Sequence, residues 1–155
     1  DQPVHWVAVP DRQGVLAVGG IVAEWMHRSC KAKGELAAKY HLAGVLRAWK
    51  KGKDILFRNA PCLLVCHTPK SCATGPQDGA LAMAYAELAA HGMGLGACWC
   101  GYLLFAAWQD QAVRDSLHIP LDHCVQGALF LGHKKSRYAR IPPRVRPRIT
   151  WLDSA

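Results

Sequence analysis

The chain alternates between two hydrophobic rhythms, and they set out its elements in order. His5 to Val9 is rich in β-branched and aromatic residues and ends at Pro10-Asp11, a turn signal, so it predicts a strand. From Gln13 to Arg28 the apolar positions Leu16, Ile21, Val22, Trp25 and Met26 recur at helical spacing, broken only by Gly19-Gly20. Gly34 to Trp49 predicts a second helix with Leu36, Tyr40, Ala43 and Leu46 on one face, and "KKGKD" ends it. "PCLLVCH" is a short apolar run of the kind found in central strands. "TPKSCATGPQDG" has the composition of a loop.

Asp78 is placed to cap a third helix, "GALAMAYAELAAHG", with Gly92 as its C′ residue. That helix is apolar nearly all round, which predicts a buried position. Phe105 to Leu117 predicts a fourth helix, Cys124 to Leu131 a strand, and "RITWL" a last short strand. The order implies a sheet with helices packed on it. The chain opens in a strand without an initiator methionine, so we expect it to be part of a longer protein, truncated at its amino terminus. Its 155 residues suit a single domain, 1–155, ending in a carboxy-terminal basic arm, 134–155.

Charge sharpens the view of that arm. The net charge is +8, but Lys134 to Arg148 holds seven basic residues and no acidic one, and the remainder carries only +1. A solvated charge run is one reading of the arm. A nucleic-acid module is another, although only Tyr138 is interleaved for stacking. In the third, the prolines of "RIPPRVRPR" stiffen a row of arginines suited to bidentate phosphate contact.

Seven cysteines, an odd number set mostly in apolar segments, suit reduced thiols in a cytoplasmic protein. "CWC" could place two thiols on one face, but no second paired knuckle completes a zinc site, so no metal is expected. Cys66 adjoins His67, yet neighbours on a strand face opposite ways. His5, His41, His91, His118 and His123 have no motif around them and read as surface or turn residues. No apolar run reaches the roughly 18 residues of a membrane span.

"HGMGLGACWCGYL", residues 91–103, holds Gly92, Gly94, Gly96 and Gly101. Each glycine within an element is destabilising by roughly 0.5–1 kcal/mol against alanine. Two readings stand level on physics alone. The glycines form a helix cap and tight turn with Trp99 in the core, or they let the backbone approach a flat ligand.

The run "DGALAMAYAELAAHGMGLGACWCGYL" resembles the central helix and the following Gly-Leu-Gly, Trp and Gly turn of the FMN-dependent nitroreductase family. "QPVHW", "NAPCLLVCH", "HIPLDHCVQGALFLGH" and "RIPPRVRPRITWL" are similar to further family segments, so the likeness extends from Asp1 to about Leu152. The family's amino-terminal helix with its Arg-Ser-x-Arg-like segment has no counterpart here. The resemblance implies an α+β nitroreductase-like fold, a mainly antiparallel central sheet flanked by helices in α-β-α layers.

It further implies an intertwined homodimer with two FMN sites at the subunit interface. The turn's backbone N–H groups at Trp99, Cys100 and Gly101 would bond the flavin. Arg144, helped by Arg140 or Arg146, would meet the phosphate, leaving Lys134 and Lys135 solvated. Gln2 would lie close to the flavin. The implied activity is oxidoreduction through FMN, from NAD(P)H or a ferredoxin-like protein to a small-molecule acceptor (a nitroaromatic, a quinone or an activated alkene), with no catalytic acid or base. A nitroreductase-fold protein that has lost FMN and acts as a binding or regulatory module is the alternative, beside the nucleic-acid module.

Overall fold

Strand β1 (His5–Val9) and helix α1 (Arg12–Lys31) follow one another across Asp11, whose side chain accepts from the Gly14 N–H and caps the helix. The computed structural model describes residues 2–32, 35–135, 139–140 and 143–152. Then come α2 (Glu35–Lys39), α3 (Leu42–Lys50), β2 (Cys62–Pro69), α4 (Gly75–Gly92), β3 (Leu95–Trp99), α5 (Gly101–Gln109), α6 (Gln111–Ser116) and β4 (His123–His133). The four strands form one sheet in the order β1-β2-β4-β3, every neighbouring pair antiparallel.

Strand alternation divides the core. Leu63, Val65, Val125, Ala128 and Phe130 face α1, α3 and α5, whereas Cys66 and Leu129 face Met83 of α4. Helices thus cover both faces, as the α+β reading expects.

Several boundaries move, each for a local reason. The helix expected over 34–49 divides at His41, whose left-handed φ of 52° ends α2 and starts α3; its expected first residue, Gly34, lies outside the described residues. The break lets the Tyr40 ring pack on Phe105 at 4.6 Å while Leu42, Val45 and Leu46 are buried. The helix expected over 105–117 begins earlier, at Gly101, and divides at Asp110. That residue is extended, and its side chain accepts from the Ala112 N–H at 3.0 Å to cap α6. Helix α4 starts at Gly75, ahead of Asp78, and Asp78 instead accepts the Thr74 hydroxyl at 2.7 Å in the first turn.

Burial of α4 on all sides is not what the fold delivers. Only Gly75, Gly79, Met83 and Ala90 are buried, because a helix on one face of a sheet has one covered side. Leu81, Tyr85 and Leu88 are 62%, 74% and 68% exposed. Gly92 is the last helical residue and Gly94, at φ 79°, takes the left-handed position. The chain then runs back along β4, so the expected turn at 95–99 is an edge strand. The Cys98 and Cys100 thiols do not share a face: Cys98 is exposed on β3 and Cys100 is buried at the start of α5.

His123 is no surface histidine. β4 begins one residue earlier than expected, opposite Pro69, and buries that ring beside His67 with their Nδ1 atoms 2.8 Å apart. His5 stacks on His67 from β1. Burial, then the charges of His123 and His5, hold His67 down at about 4, so its ring is neutral at pH 7. "RITWL" forms no strand: residues 143–152 follow the sheet without joining it, and their side chains are exposed. Within the basic arm, 136–138, 141–142 and 153–155 lie outside the described residues.

Between Cys66 and His67 the β2–β4 register shifts, leaving Gln126 as the extra residue of a bulge. Gly79 of α4 sits over it, and a Cβ there would lie 2.4 Å from the Gln126 Cβ. Gly20 of α1 has nothing within 4 Å of the same construction. Gly79→Ala is therefore expected to destabilise by about 1–3 kcal/mol through overpacking. Gly20→Ala should stabilise by about 0.5–1 kcal/mol. Denaturant melts of the two variants against the parent check both, and a neutral Gly79→Ala contradicts the packing.

Candidate functional site

The glycine-dense segment leads into the start of α5, and the backbone groups there differ in availability. The Cys100 N–H donates to the Ala128 carbonyl at 2.9 Å, continuing the β3–β4 ladder. Ladder alternation therefore turns the Trp99 N–H away from β4, toward the open edge. Gly101 opens α5, so its N–H has no intrahelical acceptor. Among the described residues two of the three expected donors, Trp99 and Gly101, are thus free for a ligand. Cys100 is not, because its N–H belongs to the sheet. Burial pushes the Cys100 thiol up to about 12, so it is protonated at neutral pH and is no nucleophile.

These residues border a cavity of about 250 Å³ lined by Tyr40, Arg58, Trp99, Gly101, Tyr102 and Phe105, among others. Trp99 is tethered at its rim, its Nε1–H donating to Glu87 of α4 at 2.9 Å. A second cavity of about 510 Å³ adjoins the first, since Arg58 and Phe130 line both. Gly96 of β3 and Gly132 of β4 pair directly across the ladder on its wall, where neither adds a side chain. Lys134 and Lys135 stand at the same cavity. The two hollows make one trough with aromatic walls at one end and cations at the other.

The loop between α3 and β2 supplies the residue at the junction. Arg58 and Asn59 are consecutive left-handed residues, φ 54° and 56°. Asparagine tolerates that region, but for arginine it stores about 1–3 kcal/mol of strain, held only where surroundings over-determine it. Here they do. Asp54, buried, accepts from the Phe57 N–H at 2.7 Å and the Asn59 N–H at 3.1 Å. Arg12 of α1 pairs with Asp54 at 2.8 Å and donates to the Ala60 carbonyl at 3.2 Å.

The trough does not gather every expected residue. Gln2 lies beyond the opposite edge of the sheet, in a separate hollow with Pro3, His5, Ser71 and Thr74. Strands β2 and β4 stand between β1 and β3, a separation of roughly 14 Å at ordinary strand spacing. Arg140, Arg144 and Arg146 are exposed and line neither part of the trough, whereas Lys134 and Lys135, expected to be simply solvated, line it. Arg58, Asn59, Asp54 and Arg12 had no motif to mark them. The only sequence signal was a polar "RN" lodged between the apolar "ILF" and the strand start "APCLLV".

Chemically, the trough suits a flat aromatic group carrying an anion. Aromatic rings wall the smaller end, unpaired N–H groups lie at its edge, and Arg58, Lys134 and Lys135 supply positive charge. Comparison with solved structures places the fold. A nitroreductase with bound FMN from Bacteroides fragilis superposes with a TM-score of 0.76 at 21% identity, covering 97% of this chain and 76% of that one. A nitroreductase with bound FMN from Desulfitobacterium hafniense gives 0.68 at 21% identity, over 98% and 77%. An iodotyrosine deiodinase bound to FMN and 3-iodo-L-tyrosine gives 0.56 at 21% identity, over 96% and 77%. No curated protein sequence matches the chain. The profile of the Nitroreductase family, by contrast, matches residues 2–133, from ahead of β1 to the last residue of β4, and the chain belongs to that family.

Proposed function

We propose that the chain is an FMN-dependent oxidoreductase that passes electrons from NAD(P)H or a ferredoxin-like protein to a small-molecule acceptor such as a nitroaromatic, a quinone or an activated alkene. The observation that carries this reading is the trough itself, aromatic at one end and cationic at the other, beside free N–H groups at Trp99 and Gly101. Bound FMN would supply the two-electron chemistry. The chain's own residues bind and orient. The Gly101 N–H and the positive end of α5 meet the polar edge of the ring. Lys134 and Lys135 take the phosphate, with Arg140, Arg144 and Arg146 of the arm as outer contacts. Tyr102 and Phe105 keep water from the ring's end of the trough. No side chain is assigned a proton transfer, and the seven free cysteines suit work in the reducing cytoplasm.

The same reading makes the working unit a homodimer. Gln2 and the Trp99–Gly101 corner lie at opposite edges of one sheet, so Gln2 would reach a flavin only from a second copy. The face a second copy would cover is the open side of α4, where Leu81, Tyr85 and Leu88 follow one another at i, i+4 and i+7.

Three experiments test this. Protein equilibrated with FMN and freed of excess by gel filtration should carry flavin absorbance. In the free chain a Cβ at Gly101 meets only Phe105, at 3.9 Å, so Gly101→Val should fold normally. It should weaken FMN at least about tenfold, roughly 1.4 kcal/mol, by intruding on the ring's edge. Undiminished binding in Gly101→Val places the ring elsewhere, and a parent that stays colourless with FMN present removes the enzyme reading.

The phosphate assignment is checked by titrating FMN and riboflavin against a Lys134→Ala/Lys135→Ala variant. Charge-assisted bonds are worth about 1.5–3 kcal/mol, so FMN affinity should fall by one to two decades while riboflavin affinity hardly moves. Equal losses for both ligands contradict the assignment.

Sedimentation addresses the dimer. The parent should sediment as a dimer at micromolar concentration, and Leu81→Glu/Leu88→Glu should shift it toward monomer and lower FMN affinity with it. A parent that is a folded monomer and still holds FMN refutes the shared site.

A further inference from the structure

The loop that carries Arg58 is fastened far more heavily than a surface connection between a helix and a strand needs. Asp54 is buried, and it holds the loop at two backbone N–H groups, those of Phe57 and Asn59. Arg12, at the first turn of α1, then locks the carboxylate from outside at 2.8 Å and reaches on to the Ala60 carbonyl and the Asn59 side chain. These contacts all fall on the segment around the two left-handed residues. Arg58 itself is exposed, forms no ion pair among the described residues, and lines both halves of the trough. A strained arginine held by a buried carboxylate, with its own guanidinium unpaired, is the pattern of a side chain aimed at something outside the fold.

We propose that Asp54 and Arg12 are positioning residues: together they hold the Arg58–Asn59 step so that the Arg58 guanidinium stands at the junction of the two cavities, beside the bound ring. The inference rests on the FMN reading given above. Neither Asp54 nor Arg12 lines the trough, so both act only through the loop. A cation fixed beside the ring favours the redox state with more negative charge, so the potential of the bound flavin reads where the guanidinium sits. If the loop relaxes, Arg58 leaves the left-handed region, its charge moves into solvent, and the preference is lost without any change in the residues touching the flavin.

The test is the two-electron potential of the FMN-loaded protein, measured by equilibration with a reference dye. Arg58→Gln is expected to lower the preference for reduced flavin about tenfold, which is about 30 mV for two electrons. Asp54→Asn should lower it by a similar factor, and the Arg58→Gln/Asp54→Asn pair should fall no further than Arg58→Gln alone, since both remove one interaction. Arg12→Gln, at a partly exposed site, reports the same effect should Asp54→Asn fail to fold. Arg58→Lys should recover part of the shift.

An unchanged potential in Arg58→Gln overturns the proposal, and so does an Asp54→Asn or Arg12→Gln effect that adds to that of Arg58→Gln. A parent that binds no FMN sinks the flavin reading and the proposal together. A parent that binds FMN while its variants keep the parent's potential sinks the proposal alone.

Discussion

Everything in this molecule is referred to the pairing of β2 with β4. Cys62 to Pro69 run against Leu131 to His123, and each side chain's destination follows from that register. Phe130 and Ala128 enter the larger core and Leu129 faces α4, so a slip of one residue would exchange the two. The strand's ends inherit the same logic. At one end the register buries His123 beside His67. At the other it sets Gly132 across from Gly96 and delivers Lys134 and Lys135 to the trough. The candidate site is therefore the carboxy-terminal end of the central strand together with whatever the edge strand and the α3–β2 loop bring beside it.

Glycine serves three separate purposes around that pairing, which explains why the glycine-dense segment had two level readings. Gly94 is there for its dihedral, at φ 79°. Gly79 is there for contact, since α4 must clear the bulge at Gln126. Gly101 has neither constraint: no positive φ, and only Phe105 near a would-be Cβ, at 3.9 Å. A glycine that the chain's own packing does not require, at a helix N-terminus beside a cavity, is the one whose absence of side chain points outward. The cap reading holds at Gly92 and Gly94, but Trp99 is exposed on an edge strand rather than set in the core, and the ligand reading at Gly101 belongs to the proposed function.

Most of the fold was legible because periodicity records which face meets the core. β1, β2, β4 and the helical segments were all visible, and β1 had its bounds right. What failed were the places where a single residue's conformation overrides a continuous apolar pattern. His41 and Asp110 divide helices that the pattern runs together, and neither carries a strong breaker signal such as Pro or Gly. β3 was hidden for the opposite reason: Gly96 within it and Gly94 just ahead of it masked a short edge strand whose existence depends on β4 lying next to it. The resemblance marked Trp99, Cys100 and Gly101, and the structure separates them by hydrogen-bond availability. Arg58 could not be found from sequence, because its place depends on a buried carboxylate four residues earlier and an arginine on another helix.

The sheet's larger-core face holds two buried polar islands, and they are neutralised in different ways. Far from the trough, His67 is satisfied by His123 and remains uncharged, since burial and its imidazole neighbours oppose protonation. Near the trough, Asp54 is satisfied by two backbone donors and a guanidinium at the rim, a charged arrangement that removal of one partner leaves incomplete. A purely structural clasp could have used the neutral solution at both places. An ion pair whose cationic half reaches in from α1 instead couples the first turn of that helix to the α3–β2 loop. The order of the loop then depends on the order of the first turn of α1. Rigidity at the trough is in this way drawn from the first turn of α1 together with the loop's own Asp54, and this is how the eleven-residue connection 51–61 can hold Arg58 in a strained conformation.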